Sequence, residues 1–94
     1  MKIIRIAEFR KDADELEFWM PSDYTCKMIS HLRNYNVTVQ IRISPMEGNK
    51  KIRDQDAFFL TPAGEKGRRT KIKQSIDGFC ERQGLPLPKW PTNF

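Results

Sequence analysis

Val37-Thr38-Val39-Gln40-Ile41-Arg42-Ile43 alternates apolar and polar side chains without a break. Successive side chains of a strand point to opposite faces, so this stretch has one greasy face and one polar face. It predicts a sheet that is covered on one side and open on the other. Ser44-Pro45-Met46-Glu47-Gly48-Asn49 ends the strand with turn chemistry. A further strand is expected over residues 55–60, and Ile52 could extend it backwards into a longer hairpin.

Upstream, Tyr24, Met28, Ile29, Leu32 and Tyr35 fall on one arc of a helix, with Lys27, Ser30, Arg33 and Asn34 opposite. Ser22 is the expected N-cap, with Asp23 in the first turn, and Asn34-Tyr35-Asn36 closes the helix. Before it, Leu16, Phe18 and Met20 alternate with Glu17 and Trp19, and residues 2–10 are rich in β-branched side chains. The polar turn Lys11-Asp12-Ala13-Asp14 joins these two runs as a hairpin. Downstream, residues 61–67 form a loop. A last helix over residues 70–83 carries Ile72, Ile76, Phe79 and Cys80 on one face, and Gly84 and Pro86 stop it.

The order is β-β-α-β-β-α, an α+β fold with a four-stranded antiparallel sheet and two helices packed on one face. Residues 1–84 make the domain and residues 85–94 a Pro-rich C-terminal tail. Phe18-Trp19-Met20-Pro21 and Phe58-Phe59-Leu60-Thr61-Pro62 each precede a helix, which suggests a duplicated ββα unit. An exposed edge strand, the first or the fourth, would permit a dimer.

The chain has 94 residues, of which 38% are hydrophobic. That suits a single small domain with a modest core. The longest apolar run, Ala57-Phe58-Phe59-Leu60, is far short of the ~18 residues of a membrane helix. The charged N-terminus does not read as a secretory signal, so a soluble cytoplasmic protein is expected. Cys26 and Cys80 lack companions at metal-ligand spacing and are expected as separate reduced thiols. No cofactor or metal is implied.

The formal charge is +5, and it is unevenly placed. Residues 1–47 carry seven Lys/Arg against seven Asp/Glu, whereas residues 48–94 carry ten against five. Lys66, Arg68, Arg69, Lys71 and Lys73 crowd together, and Lys50, Lys51 and Arg53 form a smaller cluster. One-sided positive charge of this kind is a footprint for a polyanion, either nucleic acid (DNA or RNA) or an acidic protein surface.

Arg68 and Arg69 would project onto the buried side of the last helix if it began before them. Unpaired buried charge is prohibitive, so the helix is expected to start at Thr70 with both arginines in the loop. Lys71 and Lys73 then sit in the first turn, where the helix dipole disfavours cations unless an anion rests there. Gly64 and Gly67 would let the loop approach a phosphate, although the spacing is not that of a P-loop. A phosphate-backbone contact site follows as the expectation.

Thr38, Gln40 and Arg42 line the polar face of the best strand, where such side chains can reach bases or sugars. Trp19 shares that face and could stack on a base or anchor a protein. The tail, with Trp90 and Pro88-Lys89-Trp90-Pro91, either docks a partner's aromatic groove or, as expected here, folds back so that Leu87 and Trp90 cover the sheet. His31 borders the apolar arc of its helix and reads as structural. The acids Asp12, Asp14, Glu15 and Glu17 lie in and beside a tight turn, where surface carboxylates are routine.

No nucleophile has a convincing base partner. The leading expectation is therefore a non-enzymatic nucleic-acid-binding module contacting phosphates through residues 50–53 and 66–73. The alternative is a small protein-binding modulator of a larger nucleic-acid enzyme, docking through Trp19 or Trp90. Size, charge and hairpin–helix order have the general look of small accessory proteins of phages and mobile elements, without a residue-level motif.

Overall fold

A computed structural model describes residues 3–35, 37–51, 54–62 and 68–94, apart from the side chains of Met46, Lys50, Lys51, Pro62 and Arg68. Strands β1 (Arg5–Arg10) and β2 (Glu15–Pro21) form the first hairpin. A single 3-10 turn, Ser22–Tyr24, leads into α1 (Thr25–Leu32). Then come β3 (Val37–Arg42), a two-residue ribbon of β4 (Met46–Glu47) and β5 (Lys50–Lys51), β6 (Gln55–Pro62) and α2 (Arg68–Gln83).

The main sheet is antiparallel throughout, in the order β1-β2-β6-β3. The last strand thus inserts between β2 and β3, so the edges are β1 and β3. The strand over residues 55–62, expected as a possible edge, is instead central. With β2 on one side and β3 on the other, its inward Phe58 and Leu60 and its outward Ala57 have no exposure at all.

The two halves are arranged about Phe18 and Phe58, which pair directly across β2 and β6 with rings stacked 5.1 Å apart. To the main sheet and its cover each half contributes an outer strand, an inner strand and then a helix, with the β4–β5 ribbon added in the second half. Leu16, Phe18, Met20, Phe58 and Leu60 join Met28 and Leu32 of α1 and Ile72, Ile76, Phe79 and Cys80 of α2 in one core cluster. The outward side chains of the sheet take no part in it.

Three local expectations change. Ser22 does not cap α1: its hydroxyl is buried without a hydrogen-bond partner, while its N–H donates to the Asp54 carbonyl at 2.8 Å. Pro21 is the last residue of β2, so Ser22 is pinned between strand and turn before α1 begins. The turn after β3 contains the β4–β5 ribbon, closed by Gly48 at φ 63°, where a left-handed backbone suits glycine.

The third change concerns the tail. Leu87 does not cover the sheet and is 55% exposed. The tail docks through Trp90 and Phe94 instead, on the helical side. Gly84, at φ 70°, turns the chain so that the Leu85 N–H bonds the Cys80 carbonyl at 2.8 Å. Trp90 Nε1 donates to Asp77 at 2.8 Å, its ring stacks on Phe94, and Phe94 meets Phe9 edge-on at 5.1 Å. Trp90 is therefore engaged within the molecule. Among the described residues, no helix is long and apolar enough to cross a membrane.

Candidate nucleic-acid interface

Strand register places the outward side chains in rows across the sheet. One row runs Arg5, Trp19, Ala57, Arg42, and the next runs Glu8, Glu17, Phe59, Gln40. Beyond them Arg10 pairs with Glu15 at one edge and Thr61 with Thr38 at the other. Trp19 and Phe59 are diagonal neighbours on the two central strands, close enough for one ligand to touch both. Four strands at ~4.8 Å spacing put Arg5 and Arg42 about 14 Å apart at the ends of the Trp19 row.

Each aromatic is held in place. The Trp19 indole N–H donates to Glu17 at 2.9 Å, and the Arg42 guanidinium lies over the Phe59 ring at 5.6 Å. Beside Trp19, a shallow depression of about 390 Å³ is lined by Arg5, Asp54 and Gln55. The opposite corner is occupied by ion pairs. Arg10 reaches Asp12 at 3.7 Å and Glu15 at 3.9 Å, so these turn acids serve the hairpin.

The start of α2 is organised differently from the expectation. The helix begins at Arg68, two residues earlier than the expected Thr70, and Arg69 does lie toward the buried side, half-buried over Phe9. Its charge is not left unpaired. Arg69 Nε donates to Asp14 at 2.9 Å, Nη2 contacts the same carboxylate, and the guanidinium covers the Phe9 ring at 4.5 Å. Asp14 holds this position in a left-handed backbone at φ 50°, a conformation aspartate tolerates. It supplies the carboxylate that the first turn of α2 lacks in its own sequence. For Arg69, an intramolecular acid takes the place of an external anion.

Lys71 and Lys73 are exposed and make no ion pair among the described residues. Successive helical residues turn by 100°, so Lys71 points well away from Arg69. Lys71 lines a shallow groove between α1 and α2 with His31, Tyr35, Gln74 and Arg82. The described cations of this segment therefore diverge rather than converge on one point. Arg53 and Lys66, with the side chains of Lys50, Lys51 and Arg68, lie outside the described residues.

His31 ties the two helices together. Arg82 Nη2 lies 3.0 Å from His31 Nδ1, and Nε2 lies 2.7 Å from Ser75 Oγ and 3.1 Å from the Ser75 carbonyl. A guanidinium only donates, so Nδ1 accepts and Nε2 carries the proton. Ser75 thus receives a hydrogen bond from His31 and is not activated by it. Burial, with Arg82 adding to it, lowers the His31 pKa from its ordinary 6.5, while the Ser75 carbonyl opposes the shift.

A lowered pKa means the folded protein resists a proton that the unfolded chain accepts. Stability is expected to be full above pH 6.5 and to fall as the pH drops below it, levelling off beneath the folded-state pKa. Urea denaturation at several pH values checks this, and His31→Gln should flatten that part of the profile. Cys26 is exposed and Cys80 buried, both free, and burial pushes the Cys80 thiol up to about 11. That holds Cys80 as an inert core group at neutral pH.

Phe59 and Arg5 are the residues of the open face that sequence reading passed over. Alternation through Phe58-Phe59-Leu60 was the available signal for Phe59, since only one of two adjacent phenylalanines on a strand can face the core. Arg5 was hidden by the break in alternation along β1, where the pairing register slips between Ile6 and Glu8. Comparison with known proteins gives no further guide: no protein-family model, no curated protein and no solved structure matches this chain.

Proposed function

We propose that this protein is a non-enzymatic nucleic-acid-binding module that holds single strands on the open face of its sheet. Trp19 and Phe59 serve as stacking platforms, and Arg5 and Arg42 meet the flanking phosphates. The observation that carries this reading is the row Arg5-Trp19-Ala57-Arg42 beside Phe59, two aromatics on the central strands with a cation at either edge. Four-stranded sheets bind single strands in this manner because every base offers a π-face, whatever its identity. The positive excess of the second half, including Lys71 and Lys73, adds a long-range field that draws a polyanion in.

A second reading, a small protein-binding modulator, draws on the same face. It carries Arg5, Arg10 and Arg42 against Glu8, Glu15 and Glu17, so its own charges balance. A balanced, half-apolar surface with a tryptophan suits a protein partner as well.

Fluorescence anisotropy with labelled single-stranded DNA, single-stranded RNA and duplex, at low and moderate salt, separates the two. Trp19→Ala and Phe59→Ala should each weaken single-strand binding by ~1–3 kcal/mol, about 5- to 150-fold. Arg42→Ala should also reduce the log–log salt slope by about 0.7. Single-strand affinity unchanged by Trp19→Ala, or binding confined to duplex, would sink the sheet-face reading. Absence of any salt-sensitive binding would favour the protein partner.

A further inference from the structure

The two edges of the sheet are built differently. β1 is guarded: its register slips between Ile6 and Glu8, it carries Arg5, Glu8 and Arg10, and Asn93 of the tail donates to the Phe9 carbonyl at 3.2 Å. Slips, charges and covering segments are the devices that stop an edge from pairing with another chain. Among the described residues, β3 has neither a slip nor a covering segment, and it carries one charge where β1 carries three. It pairs with β6 through six residues without a slip, its single charge is Arg42, and among the described residues β6 is its one strand partner.

Beneath β3 the core is one strand short of closed. Val37, Val39 and Ile41 face inward yet are only half-buried, and with Ile29 and Leu32 of α1 they line a groove of about 320 Å³. Ile43 continues the inward row and is 60% exposed.

We propose that β3 pairs antiparallel with β3 of a second copy of this chain, about a two-fold axis at Gln40. Residues directly opposite in an antiparallel pair share a face, so apolar side chains must oppose apolar ones. The axis at Gln40 sets Val39 against Ile41 and Val37 against Ile43, which covers the exposed isoleucine. It also sets Arg42 against Thr38, so the strand's one charge never faces its own copy. An axis at Val39 would leave Ile43 beyond the paired strand. The result is an eight-stranded sheet bounded by the two guarded β1 edges, an interface that closes on itself and goes no further. It stands independently of what the open face binds.

Sedimentation velocity on the full chain across micromolar concentrations tests this, with circular dichroism as the check on folding. The wild type should dimerise with rising concentration. Thr38→Lys puts a cation opposite Arg42 twice per dimer and should weaken it roughly 2- to 30-fold, whereas Thr38→Glu should strengthen it by a comparable factor. Ile43→Lys, at an exposed position outside β3, should also weaken the dimer. Opposite effects of the two Thr38 variants support the register. A wild type that stays monomeric overturns the proposal in favour of a strand from another protein. A dimer that ignores these variants, or that shifts the same way with both Thr38 changes, overturns it equally.

Discussion

Phe58→Ala is expected to cost about 3–5 kcal/mol of folding free energy, the range for emptying a phenylalanine from a packed core. Phe58 sits on the central strand β6, fully buried, with Phe18 opposite it on β2 and Ile41 opposite it on β3. Its ring stacks on that of Phe18 at 16° between planes, so the two halves of the chain meet there. Neighbouring side chains on three strands cannot all collapse into the space, because each is held by its own pairing. A domain of this size is stable by about 5–15 kcal/mol, so the variant stands near the edge of folding. The adjacent Phe59→Ala provides the control. It removes a half-exposed ring from the open face and should change stability far less, while abolishing a stacking platform. Urea denaturation of both variants checks the contrast. Equal losses would mean that the sheet's two faces do not differ as described.

Local chemistry explains which parts of this fold could be read from the chain. The alternation of residues 37–43, the turn at residues 11–14 and the apolar spacing of Ile72, Ile76, Phe79 and Cys80 all express short-range physics. Those elements fall where the sequence places them to within two residues. Strand order was not readable in the same way. That β6 enters between β2 and β3 depends on pairing across about forty residues, and an inward row of phenylalanine and leucine suits a central strand and a covered edge alike.

The start of α2 failed for a related reason. The argument that an unpaired arginine cannot be buried is sound, but the partner, Asp14, lies 55 residues away in another turn. A composition map of the helix alone cannot supply it. The candidate site follows the same division. Arg42 and Trp19 were visible through alternation, yet their presence on one row with Arg5, and beside Phe59, required the sheet order first.

Asp56 shows what long-range pairing contributes to stability, and its replacement is the second large effect expected. It lies on β6 with 1% of its surface exposed, facing the core side of a strand where a charge is otherwise unwelcome. Its Oδ2 accepts the Thr25 hydroxyl at 2.7 Å, and its Oδ1 accepts the Ser44 N–H at 3.1 Å. One carboxylate thus binds the first residue of α1 and the chain leaving β3 to the central strand.

Asp56→Ala leaves both donors buried without this acceptor, at about 1–3 kcal/mol for each, so a total near 3 kcal/mol or more is expected. Asp56→Asn keeps the shape and one carbonyl oxygen for Ser44, while the Thr25 hydroxyl can rotate to accept from the new amide. It should therefore cost clearly less than the alanine variant. Thr25→Val, which removes one donor and preserves volume, should fall between wild type and Asp56→Ala. Denaturant titrations of the three variants give the order directly. If asparagine proves as damaging as alanine, the carboxylate's charge rather than its hydrogen-bond geometry holds α1 and the end of β3 against β6.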